Sequence, residues 1–202
     1  MRRSLFVTLT SIFAALAIMF TILKLEFPFP VLLYLKFDFA EIPVVSAFFL
    51  INPYAGFITS IIHFLFLLYR SGDLLGASMK FSAVFSMLVG FWLIHKFFGR
   101  TGGRSWFILS SLLGGFLRII VMSLLNVIVL LWIAPGYLDY AVFVLSSFFG
   151  YSLSYSDTLI WTLIFTGVYN FIHVFFSFIP SIIIVRALGS RFGFHGHSSS
   201  ID

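Results

Sequence analysis

Residues Pro28 to Pro43 read PFPVLLYLKFDFAEIP, and they lie between segments that are almost wholly apolar. The stretch holds three prolines, a lysine, an aspartate and a glutamate. Prolines at this density stop a helix. Charges at this density are too costly to face lipid. The segment therefore lies at a membrane surface or folds over something inside the protein. Its composition suits a lid over a small-molecule site.

The flanking sequence supplies the membrane. Of 202 residues, 61% are hydrophobic and 9% charged, with a mean hydropathy of +1.12. A soluble domain carries roughly 25% charged residues. So apolar a chain is expected to be an integral membrane protein. The net charge of +5 is read as basic residues gathered at membrane-facing ends, not as a nucleic-acid footprint. With no cysteine there is no disulfide and no thiolate metal site. Met1-Arg2-Arg3 before an apolar run resembles a signal peptide, but Leu5 to Leu25 is long enough to span and lacks a small-residue cleavage site. It is read as a retained first helix.

Six apolar segments follow in order: 5–25, 41–51, 54–69, 78–94, 105–133 and 158–185. The second is short for a span, which needs about 20 residues, and Asn52-Pro53-Tyr54-Ala55-Gly56 after it reads as a turn. Residues 41–69 are either one kinked helix or two that turn back. Charge separates the two counts. With six helices and the N-terminus inside, Arg2, Arg3, Lys96, Arg100, Arg104, Arg186 and Arg191 all fall on the cytoplasmic side. The acids Glu26, Asp38, Glu41, Asp73, Asp139 and Asp157 then fall outside. Five helices reverse that bias. The expected fold is an all-α membrane protein of one domain, with six transmembrane helices, cytoplasmic termini and outer loops covering a ligand pocket.

Trp92, Trp106, Trp132 and Trp161 fall near helix ends, as in an aromatic belt. Residues 134–157 are broken by Gly, Pro and Asp and read as a long second covering loop. The tail from Gly193 to Asp202 reads as frayed, and no metal is assigned to His195 and His197.

The fifth helix sets Arg118, Met122 and Asn126 on one face, and the sixth sets Thr162, Thr166, Asn170, His173 and Ser177 on another. Polar side chains within a span face the bundle interior or a cavity. At about 1.5 Å per residue, Asn126 lies about 10 Å and Asn170 about 18 Å below the outer surface. Amides and an imidazole among aromatics suit a flat, polar-edged heterocycle. The alternative is that these groups only pair with one another between helices. Arg118, mid-helix, either pairs with an interior polar group or serves a conformational change, and His63 reads as a satisfied interior histidine. Ser11, Ala14 and Ala15 give the first helix a small-residue face, either for packing within the chain or for docking another membrane subunit.

No HExxH, GxSxG or P-loop pattern is present, so the chain is not read as an enzyme and does not hydrolyse ATP itself. With no acid expected inside the spans, ion-coupled transport is disfavoured. An outward pocket without an energy source needs partners.

Four stretches carry a resemblance: YLKFDFAEIP (Tyr34 to Pro43), NPYAG (Asn52 to Gly56), RIIVMSLLN (Arg118 to Asn126) and YNFIH (Tyr169 to His173). From about Ser4 to Arg191 the chain resembles the substrate-binding S components of energy-coupling factor (ECF) vitamin transporters, and in detail the riboflavin-specific ones. The resemblance implies a multi-pass protein of the plasma membrane that binds riboflavin from outside as a transported ligand, not a cofactor. It implies a membrane T component and two ATPase subunits as partners. Asn126 and Asn170 would hydrogen-bond the flavin, with Tyr34 to Asp38 closing over it. The candidate ligand set is Tyr34, Leu35, Lys36, Asp38, Lys80, Asn126, Asn170 and His173, and the candidate partner face is Ser11, Ala14 and Ala15. His173 departs from the lysine common at its position, and Ile18 breaks the small-residue spacing of the first helix. The competing functions are an S component for biotin, thiamine or folate, and an intramembrane lipid-acting enzyme using His173 or His63.

Overall fold

The computed structural model describes residues 3–99 and 103–192, with side chains up to 189. Arg2, Arg100, His195, His197 and the rest of the tail lie outside the described residues.

The helix α1 (Arg3–Ile22) comes first, and Lys24 turns the chain out of it through a left-handed φ of 51°. Strands β1 (Glu26–Pro28) and β2 (Lys36–Asp38) pair antiparallel in a short hairpin, with Phe27 opposite Phe37. Helices α2 (Glu41–Leu50), α3 (Pro53–Ser71), α4 (Leu74–Phe98) and α5 (Arg104–Ile128) follow. One π-helical turn, Val129–Ile133, extends α5. The chain ends with α6 (Gly136–Phe149) and α7 (Tyr155–Phe192). Thus the proline-rich stretch 28–43 forms most of a hairpin and hands over to α2 just after Ala40.

Among the described residues, five helices are long and apolar enough to cross a membrane: α1, α3, α4, the run Arg104–Ile133, and Tyr155–Gly189. Helices of that length and composition belong in a bilayer. The remaining expected span, α2, has 10 residues and every one is buried. At 1.5 Å per residue it is about 15 Å long, half the thickness of a bilayer core. It survives because α1, α3 and α7 enclose it. The turn after it is set by local chemistry. Asn52 Oδ1 accepts the Ala55 N–H at 2.9 Å and Pro53 opens α3, so NPYAG starts a helix. Asp73 caps α4 in the same way, through Gly76 N–H at 2.9 Å.

Two expectations are corrected. The long covering loop is largely helix, since Gly136–Phe149 forms α6. The breakers sit at its edges: Pro135 precedes its first turn, Asp139 lies within that turn, and Gly150 closes it with a φ of 77°. Between them, Leu138, Ala141 and Leu145 recur at helical spacing and are buried. Trp106 is not a belt residue. It is 5% exposed, edge-on to Phe49 with centroids 5.5 Å apart, whereas Trp132 is 73% exposed.

The core is aromatic. Phe48, Phe49, Phe91, Trp106 and Phe178 pack together where α2, α4, α5 and α7 meet. The helices α4 and α5 cross closely at Gly90 and Gly114: a Cβ on Gly90 would lie 2.5 Å from Gly114 Cα. A separate cluster of Phe29, Leu32, Phe37, Leu145, Leu153 and Tyr169 fixes the hairpin against α6 and α7. That placement makes the hairpin a roof over one end of the bundle.

Candidate functional site

Beneath the hairpin lies a cavity of about 520 Å³, within the range of about 300–1,000 Å³ common for small-molecule sites. Tyr34, Leu35 and Lys36 roof it; Lys80 lines it from α4, and Asn170 and His173 from α7. The four-residue spacing on α5 brings Arg118, Met122 and Asn126 to the same wall. Leu35, Leu67, Met79, Met122, Val129 and Leu130 make much of the surface apolar.

Arg118 holds the floor together. Its Nη1 donates to Glu41 Oε2 at 2.7 Å and its Nη2 to Glu41 Oε1 at 3.0 Å. Its Nε donates to Asn170 Oδ1 at 3.0 Å, and Nη2 lies 3.1 Å from His173 Nδ1. Both members of the ion pair are 1% exposed. A two-toothed Arg–carboxylate contact is the geometry that can repay the desolvation of both charges. His173 Nε2 sits 3.3 Å from the Asp38 backbone N and 3.4 Å from Glu41 Oε1. The knot thus ties α2, α5 and α7 together and reaches the base of the hairpin.

The hairpin is secured at further points. Tyr169 donates its hydroxyl to Lys36 O at 2.6 Å. Lys80 forms an ion pair with Asp38, whose other oxygen accepts the Ala40 N–H at 2.7 Å. Lys36 pairs with Glu26 at 2.5 Å. Tyr34 meets the rings of Tyr137 and Tyr140 at 6.5 and 6.4 Å. Burial, with Tyr140 beside it, pushes the Tyr34 hydroxyl up to about 12, so at neutral pH it stays a neutral donor.

Of the eight residues expected at the ligand, seven line this cavity: Tyr34, Leu35, Lys36, Lys80, Asn126, Asn170 and His173. Asp38 lies behind the wall, 2% exposed, and acts on the cavity through Lys80. The two asparagines differ. Both ends of the Asn170 head are held, Oδ1 by Arg118 and Nδ2 by Thr166 O at 2.9 Å. Asn126 Nδ2 is buried and has no hydrogen-bond partner.

Glu41 was missed. Placed among the outer acids by charge counting, it is fully buried, which also corrects the expectation that no acid lies within the bundle. The signal was Arg118: a mid-span arginine needs a carboxylate, and Glu41 opens the neighbouring apolar segment. Tyr169, next to Asn170, was also left out of the ligand set although it lines the cavity. His63 pairs with Thr21 Oγ1 at 2.8 Å and stands apart from the cavity. On α1, Ala14 is buried within the chain while Ser11 and Ala15 are exposed, so the three do not share one open face.

No protein-family model matches the chain, and no curated protein matches it. Among solved structures, the S component of a bacterial ECF transporter superposes with a TM-score of 0.70 at 24% sequence identity. The superposition covers 94% of this chain and 98% of that one. At that identity the likeness is one of fold, and it extends over nearly the whole of both chains.

Proposed function

We propose that this chain is the substrate-binding membrane subunit of an ECF-type importer and that it captures riboflavin from outside the cell. The observation that carries the reading is Asn126: a buried amide N–H on the wall of a roofed cavity, with no partner in the protein. An unmade hydrogen bond at a buried donor costs about 1–3 kcal/mol. A ligand with a carbonyl or ring-nitrogen acceptor removes that cost, and the edge of a flavin ring offers both. The end-to-end likeness of fold to an S component supports the same reading, as do the stretches around Tyr34, Arg118 and Tyr169.

In this reading the chain crosses the plasma membrane six times with both ends in the cytoplasm. The hairpin and α6 cover the cavity on the outer side. Uptake is driven by a T component and two ATPase subunits, since the chain has no nucleotide-binding loop of its own. The histidines favour binding over catalysis. His63 is held by Thr21, and His173 is held between Arg118, Tyr169 and the hairpin, so neither is poised to move a proton to a substrate.

The test is colour. Riboflavin absorbs visible light and no side chain here does. The detergent-purified protein should retain a yellow ligand through dialysis, and Asn126→Ala should lose it. A colourless protein that also fails to quench added riboflavin fluorescence refutes the riboflavin assignment. Competition with biotin, thiamine or folate then identifies a different vitamin.

A further inference from the structure

Strand β2 turns its free edge toward α7. Within the hairpin Phe29 N–H donates to Leu35 O and Phe39 N–H to Leu25 O, so residues 35 and 39 face β1. In an antiparallel pair the residues between them turn N–H and C=O the other way. Two of those outward groups, Lys36 O and Asp38 N–H, are met by side chains one turn apart on α7. Tyr169 donates its hydroxyl to Lys36 O at 2.6 Å, and Asp38 N–H donates to His173 Nε2 at 3.3 Å. Tyr169 Oη and His173 Nδ1 are themselves 3.0 Å apart. Hydrogen bonds thus run from β2 through two α7 side chains and back to β2, and Asp38, Tyr169 and His173 are all buried.

These neighbours fix where the imidazole proton sits. Tyr169 has one hydroxyl hydrogen, and Lys36 O takes it, so toward Nδ1 the phenol oxygen accepts. Nδ1 therefore carries the proton. Nε2 is bare, as an incoming Asp38 N–H requires. Neighbours on both sides of the ring thus call for the same tautomer. Arg118 Nη2, 3.1 Å from Nδ1, favours the other one, but it keeps Glu41 Oε1 at 3.0 Å in either case. That other tautomer would aim Nε2–H at Glu41 Oε1, 3.4 Å away, and strand the buried Asp38 N–H. Buried backbone donors are rarely left without a partner.

We infer that His173, held as its Nδ1–H tautomer, is a positioning residue that acts with Tyr169 to fix the free edge of β2, and is not a hydrogen-bonding contact to the ligand. Its effect on binding rests on the riboflavin reading; its tautomer does not. Both ring nitrogens are spent within the protein, so His173 has none to offer a flavin. Lys36 roofs the cavity, so releasing the edge loosens the roof and hastens the loss of a bound molecule. Tyr169 also acts on Asp38 without touching it. Without the phenol oxygen, Nδ1–H has no acceptor. The proton then moves to Nε2, where Glu41 Oε1 accepts it, Arg118 donates to the bare Nδ1, and Asp38 N–H loses its partner.

The experiment uses the full detergent-purified chain with 15N in its five histidines. Ring-nitrogen NMR tells a protonated nitrogen from a bare one, and the His173 ring is identified by replacing the other histidines one at a time. In the wild type the proton should sit on Nδ1 alone; a proton on Nε2, or on both nitrogens, overturns the inference. In Tyr169→Phe, which keeps the ring and removes only the hydroxyl, the proton should move to Nε2. Hydrogen exchange of the Asp38 amide should then quicken about fivefold or more, the scale of one lost hydrogen bond. An unmoved proton, or unchanged Asp38 exchange, overturns the part given to Tyr169. Riboflavin dissociation, followed by recovery of flavin fluorescence, should quicken about tenfold in this variant while association stays within about twofold. A change confined to association overturns the positioning role. If riboflavin does not bind the wild type, the riboflavin reading fails, and the ring proton and the Asp38 amide still decide the inference.

Discussion

Removing one partner of the Glu41–Arg118 pair tests the centre of the structure. The two side chains meet at 2.7 and 3.0 Å, and each is 1% exposed. Arg118→Met leaves the Glu41 carboxylate buried without its counter-charge. Breaking a buried pair from one side costs about 3–5 kcal/mol. For a chain of this size each kcal/mol lowers the melting temperature by about 2–4 °C, so a drop of about 6–20 °C is expected. Glu41→Leu should do similar damage from the other side. The double variant carries no buried charge and should melt above either single one. It should stay below the wild type, because Asn170 Oδ1 still loses the Arg118 Nε bond, worth about 1–3 kcal/mol. The chain has four tryptophans and no cysteine. Intrinsic fluorescence is therefore the natural readout, and thiol-reactive dyes are blind to this protein. A loss below about 2 °C for Arg118→Met, or single losses that simply add in the double variant, would show that the pair does not hold the floor.

Three further perturbations separate ligand chemistry from packing. Asn126→Ala should weaken riboflavin binding about 10- to 100-fold without lowering the ligand-free melting temperature, because Nδ2 bonds to nothing in the protein; equal losses in both would make Asn126 structural. Trp106→Ala should cost about 3–5 kcal/mol, and Trp132→Ala within about 0.5 kcal/mol, because the first is 5% exposed and the second 73%; similar melting shifts for the two would refute this placement of Trp106. Gly114→Val should destabilise the α4–α5 crossing by about 1–3 kcal/mol, since a Cβ there would lie 2.3 Å from the Phe91 ring and 3.0 Å from Met87 O; an unchanged melting temperature would show that the crossing can open without cost.

What could be read from the sequence, and what could not, divides by the range over which each interaction acts. Short-range patterns were legible. Apolar runs located the long helices, Asn52-Pro53 located the start of α3, and four-residue spacing put Arg118, Met122 and Asn126 on one wall. The proline-rich stretch declared itself foreign to lipid and became the roof. The covering segment is helical despite Pro135, Gly136 and Asp139, because all three lie at the start of α6, where a helix tolerates them. The long-range pairings left no such mark. Glu41 and Arg118 are 77 residues apart, and Asp38 and Lys80 are 42 apart. Counting charges by side put both acids outside, because the count assumes that a charge beside a helix end faces water. Here α2 begins inside the bundle, and its first residue is a glutamate that only a buried arginine can balance. A lone arginine in the middle of a span is therefore stronger evidence for a hidden carboxylate than the topology count is against one. Two acids flank the start of α2, Asp38 and Glu41, and a buried arginine needs one of them. Of those, Asp38 ends the second hairpin strand, within reach of Lys80. That leaves Glu41, at the first turn of α2, for the floor.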